Sequence, residues 1–403
     1  MHCIRKVTDD IYWVGGNDKR LELFENIHPL PDGVSYNSYV MLDEKTVLFD
    51  TADWDIGRLF LSNVEAALDG RALDVLVVNH LEPDHASTLN EIVRRWPDVQ
   101  IYCTVMAERM MKQYCYETTD NVHAVGEGDK LEIGSRTLTF YTAPMVHWPE
   151  VMVTFDDKSG ALFSADAFGT FGSLDGALFA DEVDLDGGWM AEARRYYGNI
   201  CGKYGPQVQM LLGKLKSLGD SVKFICPLHG PVWRKNFDVI EEKYDKWSKY
   251  EPEVNGVVIV YGSMYGNTEG AAQLLASELV QQGVTDVRMF DVSKTNVSYL
   301  ISEVFKYSHI ALLSVTYNMG LFPPMRAFVE DMQALNISNR KVMIVENGTW
   351  APQASGIMTG ILDEMQNMEY VTEKLTIMSS PDEDDSGAIV KAADTLAQSV
   401  KEQ

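Results

Sequence analysis

Long apolar runs are missing from this sequence. No stretch reaches the roughly 18 residues that a bilayer-spanning helix needs. The opening Met1–Trp13 segment lacks the apolar core of a secretion signal. A cytoplasmic location without a membrane partner is the expectation. Positive charge is scarce: 34 Lys and Arg stand against 59 Asp and Glu, a formal net charge of −25. Phosphate backbones and anionic lipids repel such a polyanion, which disfavours nucleic acid as a partner. The surplus charge serves solubility or, alternatively, docking of a basic partner. Cysteine is also sparse. The five residues, Cys3, Cys103, Cys115, Cys201 and Cys226, form no C-x-x-C pair, which argues against a disulfide scaffold, a zinc ribbon or a cysteine-held iron–sulfur site. Walker and G-x-G-x-x-G motifs are absent, so nucleoside triphosphates and dinucleotides are disfavoured.

What remains is a chain of 403 residues, 46% hydrophobic, too long for one ordinary core. A helix-like stretch in 239–256 ends before Pro252, and an apolar strand starts at Val257. This divides the chain into 1–252 and 255–403. The first part mixes strand-like runs (38–42, 46–50, 75–79, 100–103, 137–142, 151–155, 160–164, 223–226) with helix-like ones (57–69, 87–96, 104–114, 190–200, 206–218), which predicts two mixed sheets covered by helices. The second part alternates regularly, with strands at 256–261, 286–290, 308–314, 341–346 and about 373–378. Helices are expected at 268–282, 297–306, 323–335, 354–366 and about 384–400. That is the pattern of a doubly wound parallel sheet, whose ligands bind at the carboxyl ends of the strands.

The densest chemistry is "HLEPDH" at 80–85, directly after the strand-like run Asp74–Asn79. Its alternation predicts an extended backbone with His80, Glu82 and Asp84 on one side and His85 beginning a turn. His147 in "APMVHWPE", Asp166 in "LFSADAFG" and His229 in "FICPLHG" also fall in loops after strands. Any one of these could be structural; together they make a metal site. Imidazole-rich tetrahedral sets suit zinc, whereas histidine mixed with carboxylate and open positions suits non-haem iron.

This order of motifs resembles the metallo-β-lactamase superfamily, whose hydrolases usually carry H-x-H-x-D-H. With Glu at position 82, and with "HWP", "DAFG" and "HG" around the other three residues, the chain resembles the flavodiiron proteins over essentially its whole length. The resemblance implies an N-terminal metallo-β-lactamase-like αββα sandwich followed by a flavodoxin-like domain. It implies that His80, Glu82 and His147 hold one iron, that Asp84, His85 and His229 hold the other, and that Asp166 bridges them. His85 corresponds to a ligand that not every member engages. Tyr196 falls where the family often places a tyrosine near the diatomic ligand, and Phe171 where some members carry a histidine. His28, in "ENIHPLP", is either a pocket-lining residue or an ordinary loop histidine.

In the second part, "GSMYGNTEG" (262–270) sits between a strand and a helix. Ser263, Met264, Tyr265, Gly266, Asn267 and Thr268 make a hydroxyl-rich turn without a lysine, suited to a small monophosphate at a helix start. It resembles the phosphate loop of flavodoxins, which bind FMN. The loops "VTYNMGLFPP" and "ENGTWAPQA" fall where that family meets the flavin ring. The expected contacts there are Thr316, Tyr317, Asn318, Met319, Gly320, Asn347, Gly348, Thr349 and Trp350, with Tyr317 and Trp350 able to stack.

The combined expectation is an oxidoreductase carrying two irons and FMN that reduces dioxygen to water, nitric oxide to nitrous oxide, or both. No rubredoxin-like cysteine set is present, so a separate donor, a rubredoxin or a reduced deazaflavin, is expected. The resemblance also implies a head-to-tail homodimer or a dimer of dimers. Two other readings stand beside it: a dinuclear hydrolase with an accessory flavodoxin-like domain, and an electron shuttle with a vestigial metal site.

Overall fold

The structure, a computed structural model, describes residues 1–117 and 121–403. It divides into two compact units, Met1–Tyr197 with Pro206–Asp245, and Gly198–Gly205 with Lys246–Gln403.

Two sheets build the first unit. One runs in the order Arg5–Lys6, Ile11–Trp13, Tyr39–Leu42, Thr46–Phe49, Val75–Val77, Gln100–Thr104, Val122–Val125. The other runs Lys130–Glu132, Thr137–Thr142, Met152–Asp156, Ala161–Phe163, Phe224–Cys226. Alternating inward side chains of both meet in one core: Tyr39, Phe49 and Val77 from the first sheet, Phe140 and Phe163 from the second. Phe49 and Phe163 stack with ring centroids 3.6 Å apart. Both sheets are mixed. The strands Thr46–Phe49, Val75–Val77, Gln100–Thr104 and Val122–Val125 run parallel, as do Ala161–Phe163 and Phe224–Cys226, while the remaining pairs of the two sheets are antiparallel. The sandwich matters for the site because Asn79, Asp166 and His229 all follow strand ends.

Several details differ from expectation. The stretch 190–200 is not one helix: an α-helix over Met190–Tyr196 widens into a π-helical turn over Tyr197–Cys201. Short strands near the N-terminus (Arg5–Lys6, Gly16–Asp18, Leu23–Phe24, His28–Pro29) were not anticipated, because two or three residues carry too little alternation to register.

The second unit is a parallel sheet ordered Val287–Asp291, Val254–Gly262, Tyr307–Tyr317, Arg340–Asn347, with Met368–Tyr370 and Leu375–Ile377 both paired to the last. Strand order 2-1-3-4-5 is the flavodoxin-like winding, with its ligand crevice where the order reverses. The helix expected over 354–366 stops at Leu362, and Asn367, with φ of +52°, turns the chain into the extra strand Met368–Tyr370. Arg340, fully buried, donates to the carbonyls of Val304, Phe305, Tyr250, Ser338 and Asn339. It thereby closes the end of the helix Val297–Lys306, whose last carbonyls have no intrahelical partner.

Candidate metal centre and flavin cavity

The loop after Val75–Val77 is anchored before it presents any ligand. Asp50, at the end of Thr46–Phe49, accepts hydrogen bonds from Asn79 N (2.7 Å), Asn79 Nδ2 (2.8 Å) and His80 N (3.0 Å). Burial lifts its pKa to about 6 despite those donors. Asn79 Oδ1 accepts from Thr154 Oγ1 at 2.7 Å, so the loop is tied to both sheets.

The expected extended run through 80, 82 and 84 does not form. Pro83 starts a helical turn, Pro83–Ala86, with Glu82 at its N-cap, because proline's fixed φ suits the first helical position. That turn splits the motif. His80 and Glu82 stay with His147 and Asp166, while Asp84 and His85 swing toward His229. The result is two groups, His80–Glu82–His147–Asp166 and Asp84–His85–His229, and in each the candidate ligand atoms lie within 4.8 Å of one another.

Asp166 stands between them. Its Oδ2 is 3.3 Å from His80 Nε2 and 3.1 Å from His147 Nε2; its Oδ1 is 3.2 Å from His85 Nε2 and 3.7 Å from His229 Nε2. Glu82 Oε2 lies 2.9 Å from His147 Nε2 and 3.2 Å from His80 Nε2. The imidazoles are aimed from behind. His80 Nδ1 donates to Glu150 Oε1 (2.7 Å) and His229 Nδ1 to the Ser35 carbonyl (2.8 Å), which turns both Nε2 atoms inward. The backbone of His85 is held instead, its carbonyl accepting from Thr51 N and Oγ1.

Electrostatics bind the group together. Burial opposes charge on His80, yet the Asp166 carboxylate and hydrogen bonds to Asp166, Glu150 and Glu82 hold its imidazolium well above the ordinary range. For His147 burial is likewise outweighed, and hydrogen bonds to Asp166 and Glu82 lift its pKa to about 9. Burial would raise Asp166 and Glu82, but the histidines around them hold both carboxyls well below their usual values. Both Asp84 oxygens and Asp166 Oδ1 are buried without a hydrogen-bond partner. Buried acceptors left so are costly; a cation pair between the two groups would satisfy all three. The donor set, three acids and four imidazoles, fits a pair of iron ions.

An aromatic layer covers the His229 side. Phe24, Tyr36 and Tyr196 set their ring centroids 5.4, 5.7 and 5.4 Å from His229. Phe171 packs behind them, 5.1 Å from Tyr196 and 6.1 Å from His28. His28 is buried on the strand His28–Pro29, and its Nδ1 has no hydrogen-bond partner. Sequence reasoning missed Glu150, Asp50 and Ser35. Glu150 lay within the quoted "HWPE", but nothing in its spacing signals that it reaches His80.

In the second unit, a cavity of about 310 Å³ opens at the carboxyl ends of the strands Val254–Gly262, Tyr307–Tyr317 and Arg340–Asn347. Ser263, Met264, Tyr265, Asn267, Thr268, Thr316, Tyr317, Asn318, Met319, Asn347, Gly348, Thr349 and Trp350 line it, together with the unanticipated Val315 and Ser379. Gly266 and Gly320 do not. Gly266, at φ +95°, makes the turn into the helix Asn267–Gln281, and its N–H donates to Ser263 Oγ. Gly320 pairs with Tyr317 on a returning hairpin, which takes it off the lining. Thr316 Oγ1 accepts from Gln353 N and Ala354 N, binding the third-strand loop to the fourth. Pro352 packs on the fourth-strand loop, where a Cβ on Gly348 would come within 3.1 Å of it. No lysine or arginine lines the cavity, hydroxyls gather at a helix start, and Tyr265 and Trp350 stand exposed at the rim. These features fit a monophosphate carrying a flat aromatic ring.

Comparison with known proteins bears on the fold and the family. Residues 34–230 match the "ODP family beta lactamase" model and 259–360 the flavodoxin model. The chain is 33% identical over 362 residues to the anaerobic nitric oxide reductase flavorubredoxin of Aeromonas salmonicida, spanning 89% of this chain and 69% of that one.

The chain belongs to the flavodiiron proteins.

Two solved structures place it there by fold as well. Rubredoxin oxygen:oxidoreductase from Desulfovibrio gigas superposes with a TM-score of 0.93 at 28% identity, covering 99% of each chain. The flavodiiron protein from Giardia intestinalis gives 0.90 at 24% identity, covering 99% of this chain and 97% of that one. This flavodiiron protein is therefore an oxidoreductase with a non-haem diiron site and FMN, and the hydrolase reading is set aside. Among the described residues, no helix is long and apolar enough to cross a membrane.

Proposed function

We propose that this chain reduces dioxygen to water, nitric oxide to nitrous oxide, or both. The observation that carries the reading is the split of Asp166, each oxygen facing a different histidine pair, in a chain that also builds a cavity lined by hydroxyls and aromatic rings at the carboxyl ends of a parallel sheet. His80, Glu82 and His147 would hold one iron and Asp84, His85 and His229 the other, with Asp166 shared. When bound, FMN would supply electrons singly or in pairs, and the irons would supply the site at which the gas is bound and reduced. The residues of the chain do the rest. Glu150 and the Ser35 carbonyl fix which imidazole nitrogen faces inward, and the aromatic layer excludes bulk water. Tyr196 and His28 border the gas-binding space as hydrogen-bonding or proton-donating groups. Names of relatives favour both gases and a rubredoxin donor; a reduced deazaflavin is a second donor to try. We also propose domain limits of 1–252 and 255–403, a cytoplasmic location, and a head-to-tail homodimer or dimer of dimers that brings one subunit's flavin to the other's irons.

The test is iron and flavin content of protein purified without oxygen, followed by gas consumption with reduced rubredoxin. Two irons and one FMN per chain, with uptake of either gas, support the reading. Zinc where iron was supplied, or no uptake of either gas by fully loaded protein, refutes it.

A further inference from the structure

A cavity of about 540 Å³ opens on the first unit, and neither Glu82 nor His147 lines it. Its wall includes Asp32, Gly172, Trp189, Ala191 and Glu192, and Phe171 closes its inner end. Phe171 lies five residues beyond Asp166 on the same loop. One layer of rings separates it from the metal centre: Phe171 is 5.1 Å from Tyr196 and 5.4 Å from Phe24, and each of those is 5.4 Å from His229. Elsewhere the centre is well sealed. The side chains of His80, His85, Asp166 and His229 are at most 1% exposed, and what exposure the cluster has belongs to Glu82, Asp84 and His147.

We infer that this cavity is the entry path of the diatomic gas, and that the Phe171 ring is its outer door, opening toward the Phe24–Tyr196 layer that covers the diiron centre. The inference rests on the function proposed above. In that reading a flavin is brought to the irons to deliver electrons, so a gas gains from a route that does not require the flavin to leave. The His229 side offers one, two rings deep: Phe171 first, then Phe24 and Tyr196. The ring is suited to the task. It meets Phe24 and Tyr196 edge-on, at 66° and 75°, so neither stacks on its face. The guanidinium of Arg195 lies over it at 4.4 Å, itself held by Glu192 Oε2 (2.6 Å) and the Pro29 carbonyl (3.0 Å). That clamp gives the ring a defined rest position from which side-chain rotation opens the path; gating of this kind is how small lids commit substrates. The unpartnered Nδ1 of His28 adds a buried polar point beside the door, which a water or the gas itself can meet. Beside the door Gly172, at φ +106°, lets the backbone pass close to Trp189, where a Cβ would stand 3.4 Å from the indole. Bulk added there narrows the path.

The experiment compares wild type with Phe171→Trp, Phe171→Ala and Ala191→Trp, each loaded with iron and FMN. Ala191 is exposed at the mouth, so a tryptophan there plugs the cavity without disturbing the core. Nitric oxide is mixed with the chemically reduced proteins, and its association rate is followed by absorbance. Crystals of wild type and Phe171→Trp are also pressurised with xenon, which enters apolar voids. The expected result is several-fold slower association in both tryptophan variants and equal or faster association in Phe171→Ala, with iron and flavin contents unchanged. Xenon density is expected beside Phe171 in wild type and absent from Phe171→Trp. Wild-type association rates in both tryptophan variants, or xenon found only on the Glu82 side, overturn the inference. A fully loaded wild type that binds neither gas instead overturns the proposed function.

Discussion

Glu150 Oε1 lies 2.7 Å from His80 Nδ1 and also accepts from the Leu81 amide at 2.9 Å. A carboxylate can only accept there, so His80 carries its proton on Nδ1 and turns Nε2 toward Glu82 and Asp166. Removing the charge while keeping the shape tests what this support contributes. Glu150→Gln should fold normally yet bind iron about 10–100-fold more weakly, the usual effect of losing such a partner. Competition with a coloured chelator measures it, and an affinity equal to wild type would show that Glu150 does not tune the site.

Asp166 reaches both ligand groups, through Oδ2 to His80 and Oδ1 to His85. Asp166→Ala should strip both irons rather than one, while the FMN cavity, built wholly from residues 263–379, stays filled. Elemental analysis beside flavin absorbance distinguishes the cases. Two irons retained with full gas reduction would mean that Asp166 does not bridge.

Acidity opposes metal loading through His147. With its pKa raised to about 9, His147 is protonated near neutrality until a metal displaces the proton, so ferrous iron should bind more tightly as pH rises from about 6.5 to 9, with proton release. Stability of the metal-free chain runs the other way. A raised imidazolium pKa stabilises the fold fully below the unfolded value of about 6.5, and that contribution is lost as pH rises through about 9. Melting temperatures with and without ferrous iron should therefore diverge with increasing pH. Parallel curves would contradict the protonated pairs.

Trp350 is 67% exposed at the rim of the flavin cavity, a poor place for an indole unless something covers it. An aromatic contact is worth about 0.5–1.5 kcal/mol, so Trp350→Ala should raise the FMN dissociation constant about two- to tenfold. Titration of flavin-free protein by flavin fluorescence reads this directly. No change would place the ring away from Trp350.

Recognising the flavin domain required little more than the sequence. Strand and helix alternation after Val257 reports a parallel sheet because each element is long enough to show its period, and ligand loops at the carboxyl ends follow from winding alone. All seven metal-capable residues were also legible, because histidines and acids recur directly after apolar strand runs. Three things were not. The division of "HLEPDH" between two groups depends on the helical turn at Pro83, which alternation read as extended strand. Glu150 and Ser35 support the imidazoles across 70 and 194 residues of chain, a relation that only sheet packing creates. The thin aromatic layer of Phe24, Phe171 and Tyr196 comes from three separate segments. The amino-acid sequence determined which chemistry this protein carries, since ligand types and loop composition are local properties. Tertiary structure alone decided how the ligands are shared, aimed and reached, since those depend on distances between residues far apart in the chain.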